Sequence, residues 1–376
     1  MRIVAGVRAF GLWPMLRKEF IQLRRDRLTL AMVVVLPAVQ LLLFGYAIRT
    51  EVRNLPTVVL DESQSSESRA LIDVMRNTGN FRVTGSVASR AELRRVIERG
   101  EASAAVIIPP DFAANLKRGR GATAQIVVDA ADPMAASAAI SGAALAGAAR
   151  SSAILAQRTG GQPPLEVRVR PWYNPGQRSE AYIVPGVIGV LLSITSLVVM
   201  SLAVVRERER GTLEQLVVTP LGRTSLLLGK VLPFVAVGYV QMTVVLVLGK
   251  LVFDIPVRGS LLLLYLIAGA FITANLGIGL LISTAVKSQV QATQLGYFVM
   301  LPNILLSGFM FPRESMPEIA QWIGLVLPLT YFLTVLRGIL LKSASLSAIW
   351  PETLALVSMA TVLFSLSVLR FRKTVE

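Results

Sequence analysis

The stretch RERERGTLEQLVVTPLGRTSLLLGK, residues 206–230, decides how the rest of the chain is read. It is a charged island between two apolar segments, each long enough to cross a bilayer. Thr212 followed three residues later by Gln215 has the form of a capping box opening a short helix. Leu213, Leu216 and Val217 would share one face of that helix, and Thr219-Pro220-Leu221-Gly222 would stop it. One reading is an ordinary solvated loop. The sharper one is a capped amphipathic helix held at a membrane surface, where a soluble partner can dock.

Composition sets the frame for that choice. Of 376 residues, 53% are hydrophobic and 16% charged, against roughly 25% charged in soluble domains. Mean hydropathy is +0.62. These values describe an integral membrane protein with a smaller soluble part. The net charge of +15 is distributed beside apolar spans and is not gathered into one patch, so it speaks for membrane orientation and not for nucleic acid. The chain has no cysteine and no histidine, which excludes disulfides, thiolate chemistry, histidine metal sites and Ser-His-Asp catalysis.

In chain order, residues 1–27 are a basic amphipathic segment. Trp13, Leu16, Phe20 and Leu23 recur at helical spacing over 8–27, with Arg17, Lys18, Arg24, Arg25 and Arg27 on the remaining face. That pattern suits a helix in the headgroup plane, beside anionic lipid. Residues 28–48 are a first span, 21 residues and about 31 Å of helix. Residues 49–180 turn to soluble α/β composition. The runs PTVVLDES, FRVTGS, ASAAVIIP, AQIVVDA and LEVRVRPW read as strands, three segments between them read as helices ending at glycine, and 133–158 reads as one Ala-rich helix of the same domain.

Further spans follow at 181–205, broken early by Pro185-Gly186, then at 231–252, 261–286, 290–311 and 349–369, with a basic tail at 370–376. Residues 319–341 are apolar enough to count as a seventh. Charge decides against it. With six spans, seven basic residues before the first span, five in the island, Lys287 and three at the tail share one side, and Lys250, Arg258, Arg313, Arg337 and Lys342 take the other. By the positive-inside rule the first side is cytoplasmic. Pro312, Pro317 and Pro328 also disfavour a continuous helix, so 312–347 reads as outer re-entrant helices. The fold class is a polytopic α-helical membrane protein: six transmembrane helices, an α/β extracytoplasmic domain between spans 1 and 2, and re-entrant helices between spans 5 and 6.

Of Asp, Glu, Lys and Arg, those six spans hold only Lys250 and Glu352, each within about one turn of a span's end and none deeper, which counts against an ion-coupled transporter. Gly222 to Lys230 only superficially resembles a phosphate loop, because six residues separate its glycines and Val231 replaces the required Ser or Thr. Any drive for transport comes from another chain.

The order of these segments resembles the permease subunit of ABC-2 type exporters of the larger bacterial multidrug group. The closest matches are 206–230, similar to that family's ERE-x-GT-x-E-x-L-x-x-TP-x-x-x-x-E-x-x-x-GK region, and LLSGFMFPRESMP with VLPLTYF, similar to its outer re-entrant segment. Ser225 or Leu226 departs from the pattern where members often carry an acidic residue. The resemblance implies ABC ATPase subunits on separate chains, which bind the ATP and Mg, and a second permease copy or paralogue in a bacterial inner membrane with both termini cytoplasmic. Arg208, Glu209, Gly211, Thr212, Glu214, Gln215, Thr219 and Pro220 would form or brace a coupling helix in the ATPase, with Arg17, Lys18, Glu19 and Phe20 beside it. The chain itself would be non-catalytic, with no cofactor, metal or nucleic acid. Contact of the outer domain with a periplasmic adaptor stays open. Tyr297, Met300, Asn303, Phe309 and Met310, on or near the fifth span, would suit a varied apolar cargo, or else simple packing. The alternative function is a non-transporting membrane scaffold or sensor that uses its outer domain for binding, with a membrane enzyme third.

Overall fold

A computed structural model describes residues 2–47, 53–131, 133–159, 173–175, 178–211 and 222–371. The chain divides into two compact units, Arg49–Pro171 and a helical unit built from Met1–Ile48 with Trp172–Glu376.

The first of these holds strands β1 (Leu55–Asp61), β2 (Phe81–Ser86), β3 (Ala104–Ile108) and β4 (Gln125–Val128) in the order β2-β1-β3-β4. β1 runs parallel to β2 and β3, and β4 pairs antiparallel with β3. Helices α3 (Ser66–Asn77), α4 (Arg90–Glu98), α5 (Phe112–Lys117) and α6 (Pro133–Thr159) complete it. Successive strand side chains point to opposite faces, so the apolar run of β3 divides between two cores. Ala104, Val106 and Ile108 join Leu71, Met75 and Ala139 on one side, and Ala105 and Ile107 join Leu93 on the other. Burial on both faces is why β3 shows no polar alternation. α6 packs along α3, and Arg150 on α6 pairs with Glu67 on α3. The strand read at LEVRVRPW lies outside the described residues.

The helical unit comprises α1 (Arg2–Arg25), α2 (Arg27–Ala47), α7 (Ser179–Glu209), α8 (Arg223–Phe253), α9 (Leu261–Ala285), α10 (Gln289–Leu306), α11 (Glu318–Gly324), α12 (Pro328–Lys342) and α13 (Trp350–Arg370). α7 is its axis: α2, α8, α9, α10 and α12 all pack against it. Small residues let backbones meet. Gly279 of α9 lies against the Leu197 carbonyl and Met200 of α7, and Gly277 lies against Leu363 of α13. Phe271 of α9 stacks on Phe332 of α12 with ring centroids 3.9 Å apart. Among the described residues α6, α7, α8, α9 and α13 are each long and apolar enough to cross a membrane, and α11 with α12, bent by 81°, would make a sixth if the pair is one span.

Several element boundaries differ from those read in the sequence. α1 ends at Arg25, two residues before the end of the basic segment, and carries Pro14 inside it. α7 is not broken at Pro185-Gly186. The proline sits near the start of the helix, where its missing donor costs a single bond, and Gly186 beside it leaves a notch for the ring of Phe309. The island at 206–230 is not a separate element at its edges. Its first four residues complete α7 and its last eight open α8, because Arg, Glu, Leu and Lys are good helix formers whatever their charge pattern. α10 ends at Leu306, short of residue 311, where Gly308 at φ +86° turns the chain in a conformation that only glycine adopts freely. Pro312 and Pro317 stand just ahead of a 3-10 turn and of α11, and Pro328 occupies the first turn of α12. All three mark helix starts in the bent segment.

Candidate functional site

Where α1 crosses the ends of α7 and α8, four charged side chains meet. Lys18 and Glu19 come from α1, Glu207 from the last turn of α7, and Lys230 from the second turn of α8. Lys230 Nζ lies 2.6 Å from Glu207 Oε2 and 3.4 Å from Glu19 Oε1. Lys18 Nζ lies 3.2 Å from Glu207 Oε1 and 3.2 Å from Glu19 Oε1. Each ammonium bridges both carboxylates, so the two positive and two negative charges of these four residues balance. Lys230 is 1% exposed, Glu19 4% and Glu207 7%. Burial works against the charge of Lys18, but the carboxylates of Glu207 and Glu19 outweigh it and hold its pKa above the ordinary lysine value.

Buried ions are retained only when their geometry compensates for lost hydration, and such a set fixes register more than it adds stability. Here it fixes the position of one helix against two others.

Two further contacts stiffen the same end. Arg208 Nη1 donates to the Val286 carbonyl at 2.8 Å. Glu209 accepts from the backbone N–H of Gln289 at 2.9 Å and from the Gln289 side-chain amide, and those two bonds hold its carboxyl below the ordinary glutamate range. α7 is thereby tied to the link between α9 and α10. Gly211, at φ +66°, then turns the chain away from α7. Thr212, Glu214, Gln215, Thr219 and Pro220, with the expected capped helix, lie outside the described residues.

The residues picked from sequence therefore separate. Lys18 and Glu19 enter the cluster, Arg208 and Glu209 brace α7 internally, and Arg17 and Phe20 are exposed on α1. Glu207 and Lys230 were missed. Lys230 gave a signal: it shares a helical stripe with Leu226, Leu227 and Phe234, and a lysine inside an apolar stripe needs a buried counter-ion.

At the opposite end of α7, Arg337 of α12 stacks 3.8 Å from the Tyr182 ring centroid and donates to the Gly308 carbonyl, which also accepts from the Tyr182 hydroxyl. A desolvated cation–π contact of this kind contributes about 2 kcal/mol. Phe309 fills the notch over Gly186 beside it. The five residues read as a cargo path do not share one surface. Tyr297 and Met310 are exposed, Met300 is half-buried, and Asn303 and Phe309 are interior.

A bundle organised on one long helix, with a basic amphipathic helix locked to its end by ions, is the setting for comparison with known proteins. The model of the ABC-2 family transporter proteins matches residues 27–369, from the start of α2 to the end of α13. The chain belongs to that family. It is 33% identical over 368 residues to the probable multidrug ABC transporter permease YbhR of Escherichia coli K12, covering 97% of this chain and 99% of the relative. It is 31% identical over 365 residues to YbhS of the same organism, a probable multidrug ABC transporter permease, covering 96% of each. The inner membrane transport permease YhhJ of the same organism is 29% identical over 327 residues, 85% of this chain and 86% of the relative. The chain is thus the multi-pass permease subunit of an ABC exporter. Permeases of this kind are served by an ABC ATPase on a separate chain, and in this permease two members of the cluster, Glu207 and Lys230, flank residues 212–221 in the sequence.

Proposed function

We propose that this permease moves an amphipathic drug-like molecule or lipid outward across a bacterial inner membrane, driven by an ATPase subunit that holds ATP and Mg and acts on the segment 212–221 and on α1. The permease contributes no catalytic group of its own. It works with a second copy or a related permease in a complex with two ATPase subunits. The carrying observation is the buried ion cluster, which ties α1 to the ends of α7 and α8 that flank that segment in the sequence. A push delivered there is passed to two long helices as a rigid-body displacement.

The relatives named as multidrug permeases support a varied cargo. The asymmetry of basic residues supports a cytoplasmic joint and cytoplasmic termini. The topology we propose has six spans, α2, α7, α8, α9, α10 and α13, with the Arg49–Pro171 unit and the bent pair α11 and α12 outside.

Glu214→Arg tests the docking point. The variant keeps the membrane fold, and we expect it to recover less ATPase on mild-detergent purification, or to hydrolyse ATP without moving a dye out of inverted vesicles. Wild-type levels of both assembly and transport would remove 212–221 as the contact.

A further inference from the structure

Two small cavities lie in line along the seam between α7 and α8. The first, about 30 Å³, is walled by Glu19, Glu207 and Lys230 of the ion cluster together with Asp26 and Arg206. The second, about 10 Å³, lies midway along both helices and is lined by Thr195, Ser196 and Gln241 as its polar groups, with Leu276 of α9 closing it. Val199 and Phe234 are walls of both cavities. Helical spacing produces the alignment. Thr195, Val199, Ala203 and Glu207 recur every fourth residue on α7, as do Lys230, Phe234 and Gly238 on α8, so each set forms one line facing the other.

Gln241 is 1% exposed. Its Nε2 donates to Thr195 Oγ1 at 3.1 Å, and its Oε1 makes no hydrogen bond to any described residue. A buried amide carbonyl without a partner is destabilising, because its lost hydration is not replaced. A water molecule needs a cavity of roughly 10–15 Å³ and two to four polar partners. The inner cavity has room for one, with Gln241 Oε1 as acceptor and the Thr195 and Ser196 hydroxyls beside it. The outer cavity has room for about two among the charges. No carboxylate lines the inner cavity, so a cation there would be buried without compensation, whereas water is neutral and donates where a donor is lacking.

We propose that the α7–α8 seam is a hydrated joint: water occupies both cavities, bound at the inner end to Gln241, and Val199 with Phe234 forms the dry constriction between them. The ion cluster is then one end of a wet line reaching halfway along the two helices. Along that line α7 and α8 can shift by exchanging hydrogen bonds through water, with dry packing confined to the constriction. The inference stands whether or not an ATPase acts at 212–221.

X-ray radiolytic hydroxyl labelling of the full chain in lipid nanodiscs, read by mass spectrometry, tests this, because buried side chains are modified only where water lies against them. Leu276 should be labelled several-fold faster than Leu264 and Leu329, which are equally buried and line neither cavity, and Phe234 several-fold faster than the stacked pair Phe271 and Phe332. Gln241→Leu should silence Leu276 and leave Leu23, which lines only the outer cavity, labelled. Equal labelling of Leu276, Leu264 and Leu329 in the wild-type chain overturns the proposal, and that comparison needs no variant to fold. Labelling at Leu276 that changes when choline replaces sodium would mark a bound cation and overturn it as well.

Discussion

Lys230 is the residue on which the joint turns, because it is the most enclosed charge in the cluster and it reaches both carboxylates. Lys230→Met leaves Glu19 and Glu207 buried with Lys18 alone between them. Removing one member of a buried ion set costs about 3–5 kcal/mol, since the opposite charge remains uncompensated. The thermal unfolding midpoint of the purified permease should fall accordingly. The paired change Lys230→Met with Glu207→Leu leaves one ammonium facing one carboxylate, and it should restore most of the midpoint because apolar groups replace a matched pair. ATP-driven transport should stay low in that double variant if the cluster transmits motion. Full transport would mean that it only holds the fold.

The charge of Lys18 adds a pH condition. Its pKa is raised above 10.5 by Glu207 and Glu19, so its contribution is complete below that value and is lost only as pH climbs past the raised one. Coupling should therefore not vary through the loss of this charge in the neutral range, which a pH series of ATP-driven transport can check.

Among the helices, α9 meets the backbone of α7 directly at Gly279. A Cβ at Gly279 would lie 2.6 Å from the Leu197 carbonyl oxygen and 3.0 Å from Met200 Cβ, and a backbone atom cannot swing aside. Gly279→Ala should cost roughly 1–3 kcal/mol through overpacking. Gly147 on α6 is the control: nothing lies within 4 Å of its built Cβ, and Ala there should stabilise by up to about 1 kcal/mol through helix propensity. Thermal melts of the two variants should move in opposite directions. Element identity was legible where a local pattern suffices. The Val- and Ile-rich run of β3, the long apolar helices and the prolines heading the bent segment all declare themselves within a few residues. Helix ends were not legible at 206–209 and 223–230, since charge alternation interrupts hydropathy without interrupting a helix. The cluster was half legible: Lys18 and Glu19 were named through the family resemblance, but Glu207 pairs with Lys18 across 189 positions, a tertiary fact that no window contains.

For the molecule as a whole, the open choice is which apolar helices cross the membrane. α6 meets the requirements of length and composition, yet it packs against α3 in the Arg49–Pro171 unit, while α2 and α10 pack on α7 in the helical unit. An α6 span would place its two ends on opposite sides of the membrane. The six-span arrangement places both outside. The chain has no cysteine, so single cysteines report side without background. On intact cells an impermeant maleimide should label Arg99→Cys and Gln157→Cys, and should reach Gly222→Cys and Thr374→Cys only after the membrane is opened. Labelling of Arg99→Cys without Gln157→Cys would make α6 a span. Labelling of Thr374→Cys from outside would add or remove one crossing beyond α8 and put the basic tail on the wrong side of the positive-inside rule.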